Sequence, residues 1–250
     1  MIRAVAVVIP AHNEEALLPA CLTAVSAAAR ALDSTPVCIV VAADACADQT
    51  AELARASGTV VVEISARSVG AARRAGMLEA LRQFPGLDPS EVWLATTDAD
   101  TVVPPGWLRQ QLAYAARGWD AVVGTIAVAD WTEHPPEVPL LFRLQYASDA
   151  RSHPHVHGAN LGFTAEAYLA AGGFHPHRTA EDHALVNALE GTGRRILRTT
   201  RVSVVTSARR IARAPDGLSH LLATLGGHSV ASANQTATSG ATRVCASQCQ

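Results

Sequence analysis

Two aspartates one residue apart, Asp98 and Asp100, follow an apolar run in the stretch LATTDADTVVPPGWL (94–108). Paired carboxylates suit a hard divalent cation, because Mg²⁺ or Mn²⁺ takes one or two carboxylates together with phosphate oxygens and keeps several waters. The same residues also suit an Asx-type turn ahead of Pro104 and Pro105. The pattern therefore leaves two interpretations open, a metal site for a phosphate-bearing ligand and a plain turn.

Polar stretches follow each of the four apolar, strand-like segments in the first half of the chain. They are PAHNEE (10–15), ADACADQT (43–50), SARSVGAARR (65–74) and TTDAD (96–100). Ligands of open α/β sheets bind at the carboxyl ends of the strands, so we expect these stretches to meet at one edge. Each stretch alone is typical of loop and capping residues, but four on one edge favour a binding cleft.

Strand-like and helix-like segments alternate in this half of the chain. Apolar, β-branched runs predict strands over residues 4–10, 37–43, 59–64 and 91–100. Helical spacing of apolar residues predicts helices over 14–32, from 48 onward and over 68–84. Alternation of this kind predicts an α/β fold with a Rossmann-like, mainly parallel sheet flanked by helices.

The pattern changes after residue 120. Strands are predicted over 120–131 and 195–208, a glycine-bracketed turn and short helix over 157–174, and a helix over 180–193. The stretch 131–157 is rich in Pro and His and is expected to be irregular. The Ser-, Thr- and Gln-rich tail, 228–250, has no periodicity, which predicts disorder.

Composition limits the class of protein. With 49% hydrophobic and 17% charged residues, the 250-residue chain can bury a sizeable core. Its net charge of −2 gives no electrostatic basis for general nucleic-acid binding. No apolar run approaches the roughly 20 residues of a transmembrane helix, and the five cysteines are scattered as in proteins with reduced thiols. We therefore expect a cytoplasmic protein, with peripheral contact at the inner face of the membrane left open.

Six landmarks occur in a fixed order within residues 4–213: VVIPAHNEE, an Asp-containing strand end, ARRAG, the Asp-x-Asp pair, HGANLGF and a Glu-Asp pair. In this order they resemble the inverting family 2 glycosyltransferases of the GT-A fold. The resemblance implies one GT-A domain over residues 1–227, with a nucleotide-binding half over about 1–120 and a mixed acceptor half over about 121–227. It also implies metal-dependent transfer of a sugar from a nucleotide-sugar donor to an acceptor hydroxyl, with inversion.

The resemblance assigns roles to the matching positions. It implies that the nucleotide pocket is formed by Pro10, Ala11, Glu14, Asp44, Arg73 and Asp98. Of these, Asp44 would contact the base, and Arg73 would lie near the base or the diphosphate. For Mg²⁺ or Mn²⁺ it implies Asp98 and Asp100. For the acceptor site near the sugar it implies His157, Gly158, Ala159 and Asn160. For the catalytic base it implies Asp182, with Glu181 beside it.

Chemistry supports two carboxylate sites with separate tasks. The leaving diphosphate must be neutralised, which a divalent cation does as a Lewis acid. The acceptor hydroxyl is a poor nucleophile and needs a carboxylate base opposite the leaving group. Asp98 and Asp100 therefore suit the metal and Asp182 the proton. The competing interpretation of Asp182 is a helix N-terminal acid stabilised by the helix dipole.

Three positions depart from the family pattern. Ala43 and Cys46 replace an Asp and a Ser in the second loop, which puts the preferred nucleotide in doubt. UDP- and GDP-sugars are the favoured donors. Arg74 stands where Asn is common, and it is either a second guanidinium near a phosphate or an exposed helix charge.

Two further clusters have competing interpretations. His153, His155 and His157 could ligate a metal, but their alternating spacing suits a strand face more than a helical site and no Cys cluster matches them. A polar loop at the acceptor site is the favoured interpretation. The arginines of SARRIAR (207–213) either clamp a diphosphate or an anionic acceptor, or they lie on a solvated helix face.

Three other functions share this architecture: a retaining transferase, a nucleotidyltransferase, and a catalytically silent nucleotide-sugar-binding protein. A nucleotidyltransferase would carry a glycine-rich, basic loop after the first strand, and PAHNEE is neither. Asp98, Asp100 and Asp182 argue against a silent binder, whereas the altered second loop argues for one. Without long C-terminal membrane helices, the acceptor is expected to be a small molecule, a lipid-linked carrier or a short glycan.

Overall fold

The computed structural model describes residues 1–146, 152–209, 218 and 221–225. The chain divides into two compact units, one of Met1–Ala129 and Ser148–Ser207, the other of Asp130–Ala147 and Ala208–Gln250. The predicted disordered tail, Arg210 and Arg213 lie outside the described residues.

One eight-stranded sheet forms the centre of the first unit. Its strands are β1 (Ala4–Ala11), β2 (Val37–Asp44), β3 (Val60–Ile64), β4 (Val92–Thr96), β5 (Thr101–Val102), β6 (Ala121–Val128), β7 (Leu161–Thr164) and β8 (Ile196–Thr206). They lie in the order β3-β2-β1-β4-β7-β6-β8-β5. The strands β3, β2, β1 and β4 run parallel, β7 runs antiparallel to both of its neighbours, β6 is parallel to β8, and β5 is antiparallel to β8. The predicted mainly parallel sheet with a mixed second half is confirmed.

Seven α-helices of six residues or more accompany the strands in the described residues. They are α1 (Leu18–Arg30), α2 (Thr50–Ala56), α3 (Val69–Arg82), α4 (Trp107–Ala115), α5 (Val138–Gln145), α6 (Ala165–Ala170) and α7 (Glu181–Gly191), and α5 belongs to the second unit. Within the described residues, none of these helices is both long and apolar enough to cross a membrane.

Burial explains why the first strand and third helix take their places. Every residue of β1 is buried, as its uninterrupted apolar sequence requires of a strand covered on both faces. Helix α3 packs closely on β1 because Gly76 has no side chain, and a Cβ there would lie 2.4 Å from Val8 Cγ1. Large buried side chains, among them Met77, Leu94 and Phe163, fill the space beside the sheet. This packing fixes the start of α3 at the carboxyl edge of the sheet.

The expectation of an irregular stretch over 131–157 is wrong in part, because α5 lies within it. Val138 and Phe142, four residues apart, are the buried residues of this short helix. In the same unit the Trp131 ring packs 5.5 Å from the ring of Phe142. Pro139 inside the helix, with Pro135 and Pro136 just before it, hides so short a periodic pattern.

Candidate active site

The first two polar loops meet at one edge of the sheet. Pro10 and Ala11 end β1, are buried, and pair in register with the end of β2. Glu14 is also buried, and its backbone N–H donates to Thr50 Oγ1 at 2.7 Å at the start of α2. The strand-end loops therefore converge, as the parallel sheet requires.

Asp44, the last residue of β2, holds the loop that follows β3. Its carboxylate accepts hydrogen bonds from the backbone N–H groups of Ala66 at 2.7 Å, Arg67 at 2.8 Å and Ser68 at 2.7 Å. Arg67 has φ 49°, a left-handed conformation that non-glycine residues rarely adopt, and these bonds offset its cost. The base contact implied for Asp44 stays a prediction, and the observed partners of its carboxylate belong to this loop.

The turn with Asp98 and Asp100 is held between two parts of the sheet. The Thr101 N–H donates to the Asp98 carbonyl at 3.1 Å and closes the turn after β4. Strand β8 then fixes the second aspartate, since Ser207 N–H donates to the Asp100 carbonyl at 3.2 Å and Thr206 Oγ1 donates to Asp100 Oδ1 at 3.4 Å. The two carboxylates thus lie on a turn with defined anchors on both sides.

Arg73, on α3, is buried and bridges two acidic residues from distant parts of the chain. Its Nη2 donates to Asp98 Oδ1 at 2.5 Å, and its Nη1 donates to Glu181 Oε1. Burial by itself would lower the pKa of Arg73, but the charges of Asp98 and Glu181 outweigh it and raise the pKa. The Phe174 ring also contacts the guanidinium, with 5.7 Å between Cζ and the ring centroid. Arg73 is therefore a permanent internal cation that ties the Asp-x-Asp turn to the start of α7.

The Glu-Asp pair opens α7 with the two side chains in different surroundings. Glu181 is buried; burial raises the pKa of its carboxyl, and the Arg73 charge opposes that rise. Asp182 is partly exposed, and its Oδ2 accepts from the Gly158 N–H at 2.8 Å. Its Oδ1 accepts from the His183 N–H at 2.8 Å. Glu181 is thus engaged in the interior, while the oriented carboxylate of Asp182 remains partly exposed.

Gly158 makes room for the buried cation. It starts a short 3-10 turn (Gly158–Asn160), and a Cβ added to it would lie 2.3 Å from Arg73 Nη2. The same residue supplies the N–H that orients Asp182. One glycine therefore serves both acidic residues of α7, Glu181 through Arg73 and Asp182 directly.

Asn160, predicted in the acceptor site, has its side chain inside the protein. Its Oδ1 accepts from Trp107 Nε1 at 2.9 Å, and its Nδ2 donates to the carbonyls of Thr125 at 2.8 Å and Val202 at 3.0 Å. The amide N–H groups thus join β6 to β8, and the amide oxygen adds α4. Ala159 beside it is buried as well.

Three histidines precede this turn as a stack of rings. The ring centroids of His153 and His155 are 6.1 Å apart, and those of His155 and His157 are 6.2 Å apart. His153 Nε2 lies 3.0 Å from the carbonyl oxygen of Val123. Burial lowers the pKa of His153 and lowers that of His157 to about 4. Parallel rings do not point their nitrogens at a common ion, so the geometry does not favour the metal-ligand interpretation of these histidines.

The carboxylates predicted to bind a metal are those of Asp98 and Asp100. Among the residues that the structure describes, no group of three or more His, Cys, Asp or Glu side chains could hold a metal ion. Two carboxylates do fit Mg²⁺ or Mn²⁺, which take the rest of their ligands from water and phosphate. The side chain of Asp98 is 38% exposed, so its contact with Arg73 leaves it accessible.

Two contacts in the site cannot be predicted from local sequence patterns. Thr206 contacts Asp100 only because β5 and β8 pair over a separation of more than 100 residues. The Arg73–Glu181 pair likewise forms only when α7 folds back onto α3. A single buried arginine, packed against a glycine from a distant part of the chain, leaves no periodic pattern in the sequence. The arginines of 207–213 are described only as far as Arg209.

The sequence profile of Glycosyl transferase family 2 matches residues 6–169, more than half of the 250-residue chain. The chain belongs to glycosyltransferase family 2. A comparison with curated protein sequences gives no significant match for this transferase.

Solved structures share the fold of this family 2 glycosyltransferase. The mannosyltransferase PcManGT from Pyrobaculum calidifontis, in complex with GDP-Man and Mn²⁺, is 21% identical with a TM-score of 0.62 over 85% of this chain and 59% of the other. Glucosyl-3-phosphoglycerate synthase from Mycobacterium tuberculosis, in complex with Mn²⁺, UDP and glucosyl-3-phosphoglycerate, is 20% identical with a TM-score of 0.53 over 88% and 75%. TarS of S. aureus in complex with UDP-GlcNAc is 16% identical with a TM-score of 0.57 over 84% and 60%. The likeness confirms the predicted GT-A fold.

Proposed function

We propose that this transferase moves a sugar from a UDP- or GDP-sugar to an acceptor hydroxyl with inversion, using Asp182 as general base and Asp98 and Asp100 as ligands of Mg²⁺ or Mn²⁺. The observation that carries the proposal is the link through Arg73. One buried guanidinium holds Asp98, on the turn suited to a metal, and Glu181, the neighbour of Asp182. The carboxylates with the two expected tasks therefore belong to one connected arrangement.

Relatives support the choice of donor and cation. The archaeal mannosyltransferase binds GDP-Man with Mn²⁺, and the mycobacterial synthase binds UDP with Mn²⁺ or Mg²⁺. This chain spans 59% of that mannosyltransferase, so its own donor, acceptor and cation are part of the proposal. The nucleotide is assigned to the loops that follow β1 and β2, with Arg73 beside them, and the acceptor mainly to the half that follows residue 120.

Asp182 performs the proton transfer in this proposal. The N–H groups of Gly158 and His183 each donate a hydrogen bond to one of its oxygens, and together they fix the plane of the carboxylate. As the acceptor oxygen bonds to the anomeric carbon, the bond from that carbon to the diphosphate breaks and the hydroxyl proton passes to Asp182. Attack opposite the leaving group inverts the anomeric centre.

Asp98 and Asp100 prepare the other side of the reaction. A Mg²⁺ or Mn²⁺ bound by them would offset the charge that develops on the leaving diphosphate. Arg73 keeps one Asp98 oxygen in place, and Thr206 does the same for Asp100. Glu181 acts as a positioning residue here, because its carboxylate is buried against Arg73.

Calorimetric titration with UDP-, GDP-, ADP- and dTDP-sugars, with and without Mn²⁺, tests the proposal. We expect metal-dependent binding of one nucleotide class that Asp100→Asn abolishes. Asp182→Asn is expected to keep donor binding and to lower kcat by about 10²-fold or more, the usual contribution of a general base. Asp33→Asn is the matched control, because Asp33 is exposed and asparagine tolerates its left-handed φ of 52°.

Three outcomes would overturn parts of the proposal. Binding of no nucleotide sugar by a folded protein removes the donor site. Full turnover by Asp182→Asn removes the base. A product whose anomeric configuration, read by NMR, matches that of the donor makes the enzyme a retaining transferase, whereas donor binding without turnover in any acceptor mixture favours a silent binding protein.

A further inference from the structure

Three exposed arginines, Arg67, Arg74 and Arg178, surround the place where the loop after β3 meets the segment that leads into α7. We call them the cationic cluster. In the part of the chain that the structure describes, none of the three forms an ion pair. Two exposed histidines, His175 and His177, lie in the same segment. The net charge of the chain is −2, so this local surplus of cations is not a general property of its surface.

Hydrogen bonds from side chains to backbone carbonyls bring the members of the cluster together. Ser68 Oγ donates to the His177 carbonyl at 2.9 Å, and Arg67 and Arg178 are the chain neighbours of these two bonded residues. Arg74 is joined to the same segment, since its Nη1 donates to a carbonyl there at 3.5 Å. Parts of the chain about 100 positions apart thus contribute cations to one area.

No acidic residue offsets these cations from within their own segments. Neither 65–74 nor 174–180 contains Asp or Glu. The carboxylate of Asp44 is taken up by backbone N–H groups, and that of Glu181 is buried against Arg73. The cluster therefore presents positive charge to whatever binds beside it.

The backbone of Arg67 is strained, and hydrogen bonds hold it in that conformation. Its left-handed φ of 49° is unfavourable for a residue with a side chain, and Asp44 stabilises it through three backbone hydrogen bonds across Ala66–Ser68. Strained residues that are held by their surroundings tend to occur at binding and catalytic sites. The strain adds to the charge argument but does not replace it.

The position of the cluster relates it to the acceptor. Arg178 lies four residues before Asp182, and Arg74 follows Arg73, whose guanidinium holds Asp98 and the neighbour of the base. We propose that the cationic cluster binds the phosphate or carboxylate group of an anionic acceptor whose hydroxyl is presented to Asp182. This inference rests on the proposed function and adds the chemical class of the acceptor. Guanidinium groups suit such anions, because they bind them through paired hydrogen bonds.

Calorimetric titration of the full chain with inorganic phosphate, glycerol 3-phosphate and glycerol, in the presence of the bound nucleotide, tests the inference. We expect the two phosphates to bind and glycerol not to bind. The double variant Arg67→Gln/Arg178→Gln should weaken phosphate binding by about tenfold or more, since each charge-assisted hydrogen bond contributes substantially. Arg74→Gln provides a second variant, at a position inside α3 where only a long hydrogen bond of 3.5 Å to a carbonyl is lost.

The matched control is Arg30→Gln/Arg82→Gln, which removes the same charge from exposed positions in the last turns of α1 and α3. Equal phosphate affinity in the test and control variants would overturn the inference, as would the absence of phosphate binding to the wild type. An equal loss of donor affinity in the test variant would assign the cluster to the donor diphosphate and also overturn it.

Two further arms separate the source of the anion and the failure of the wider proposal. Vesicles that contain phosphatidic acid, compared with neutral vesicles, show whether a lipid carries the phosphate. Cluster-dependent binding of the free phosphates or of the phosphatidic acid vesicles supports the inference. If the chain binds phosphate through the cluster but no nucleotide sugar, the proposed function fails alone. If it binds and turns over a nucleotide sugar with neutral acceptors only, this inference fails alone.

Discussion

Arg73 and Glu181 lie 108 positions apart in the sequence and form an ion pair whose side chains are only 3% and 5% exposed. The same guanidinium donates to Asp98, so one cation joins both groups of carboxylates in the site. Buried charges carry a large desolvation cost, and a pair in direct contact offsets it only with well-formed hydrogen bonds. The arrangement is therefore sensitive to the loss of either partner.

Replacement of Arg73 by methionine is expected to destabilise the protein by about 3–5 kcal/mol, because it leaves the Glu181 carboxylate buried without its cation. Urea denaturation measures this loss. Adding Glu181→Gln to the Arg73→Met chain should recover part of it, since the remaining group is then neutral. Arg82→Met removes an exposed arginine of the same helix and should change stability by no more than about 0.5 kcal/mol. Additive losses in the double variant would contradict a coupled pair.

Substitution of Gly158 by alanine is expected to displace the Arg73 guanidinium, because the new Cβ would lie 2.3 Å from Nη2. Overpacking of this kind costs about 1–3 kcal/mol. Turnover should fall as well, since the Gly158 N–H orients Asp182. Gly191→Ala in α7 is the control, because no atom lies within 4 Å of its added Cβ. Wild-type stability and turnover in Gly158→Ala would show that the site is looser than the contacts indicate.

Local patterns predict the parallel half of the fold and the position of its polar loops. Uninterrupted apolar runs mark β1 and β2, and the rule that ligands bind at the carboxyl ends of strands brings the loops after them to one edge. The Asp-x-Asp turn follows from the same rule. The extent of β4 is overestimated, because the strand ends at Thr96 and the next four residues form the turn.

Long-range register decides what the local pattern leaves open. Asn160 stands in a motif that resembles an acceptor site, yet its amide joins β6 to β8. Those partners are 35 and 42 positions away, and only the final pairing of the strands brings them together. The family resemblance implies Arg73 near the nucleotide, and its observed partner Glu181 is missed because α7 is distant in sequence. Residue type therefore predicts a polar role at both positions, and the fold determines the partner.

Stability is expected to fall as the pH drops from about 6.5 toward 4, because burial lowers the pKa of His157 to about 4 from an ordinary value of 6.5. Asp182 opposes this effect, while His155, His153 and His183 add to it. The unfolded chain binds the proton first in this range, so acid favours unfolding, by roughly 2 kcal/mol at pH 5.

Urea denaturation between pH 8 and pH 5, above the range in which most carboxylates titrate, measures this dependence. His157→Gln removes the titrating ring and should flatten the profile, with a smaller slope left by His153, whose pKa burial also lowers. For each variant, the free energy of unfolding at pH 8 is the reference for its values at lower pH. Identical slopes in His157→Gln and the wild type would place the titrating group elsewhere.

Thr206 is expected to tune the cation site without contacting the cation itself. Its Oγ1 donates to Asp100 Oδ1 at 3.4 Å and accepts from Thr101 Oγ1 at 3.0 Å, so the hydroxyl links the turn to β8. Groups that orient a metal ligand typically change metal affinity by about 10–100-fold when they are removed. Thr206→Val keeps the shape of the side chain and should raise the Mn²⁺ concentration needed for half-maximal nucleotide binding, whereas Thr206→Ser retains the hydroxyl and should restore it. A rise in both variants would mean that packing of the Thr206 methyl group, and not the hydrogen bond, orients Asp100.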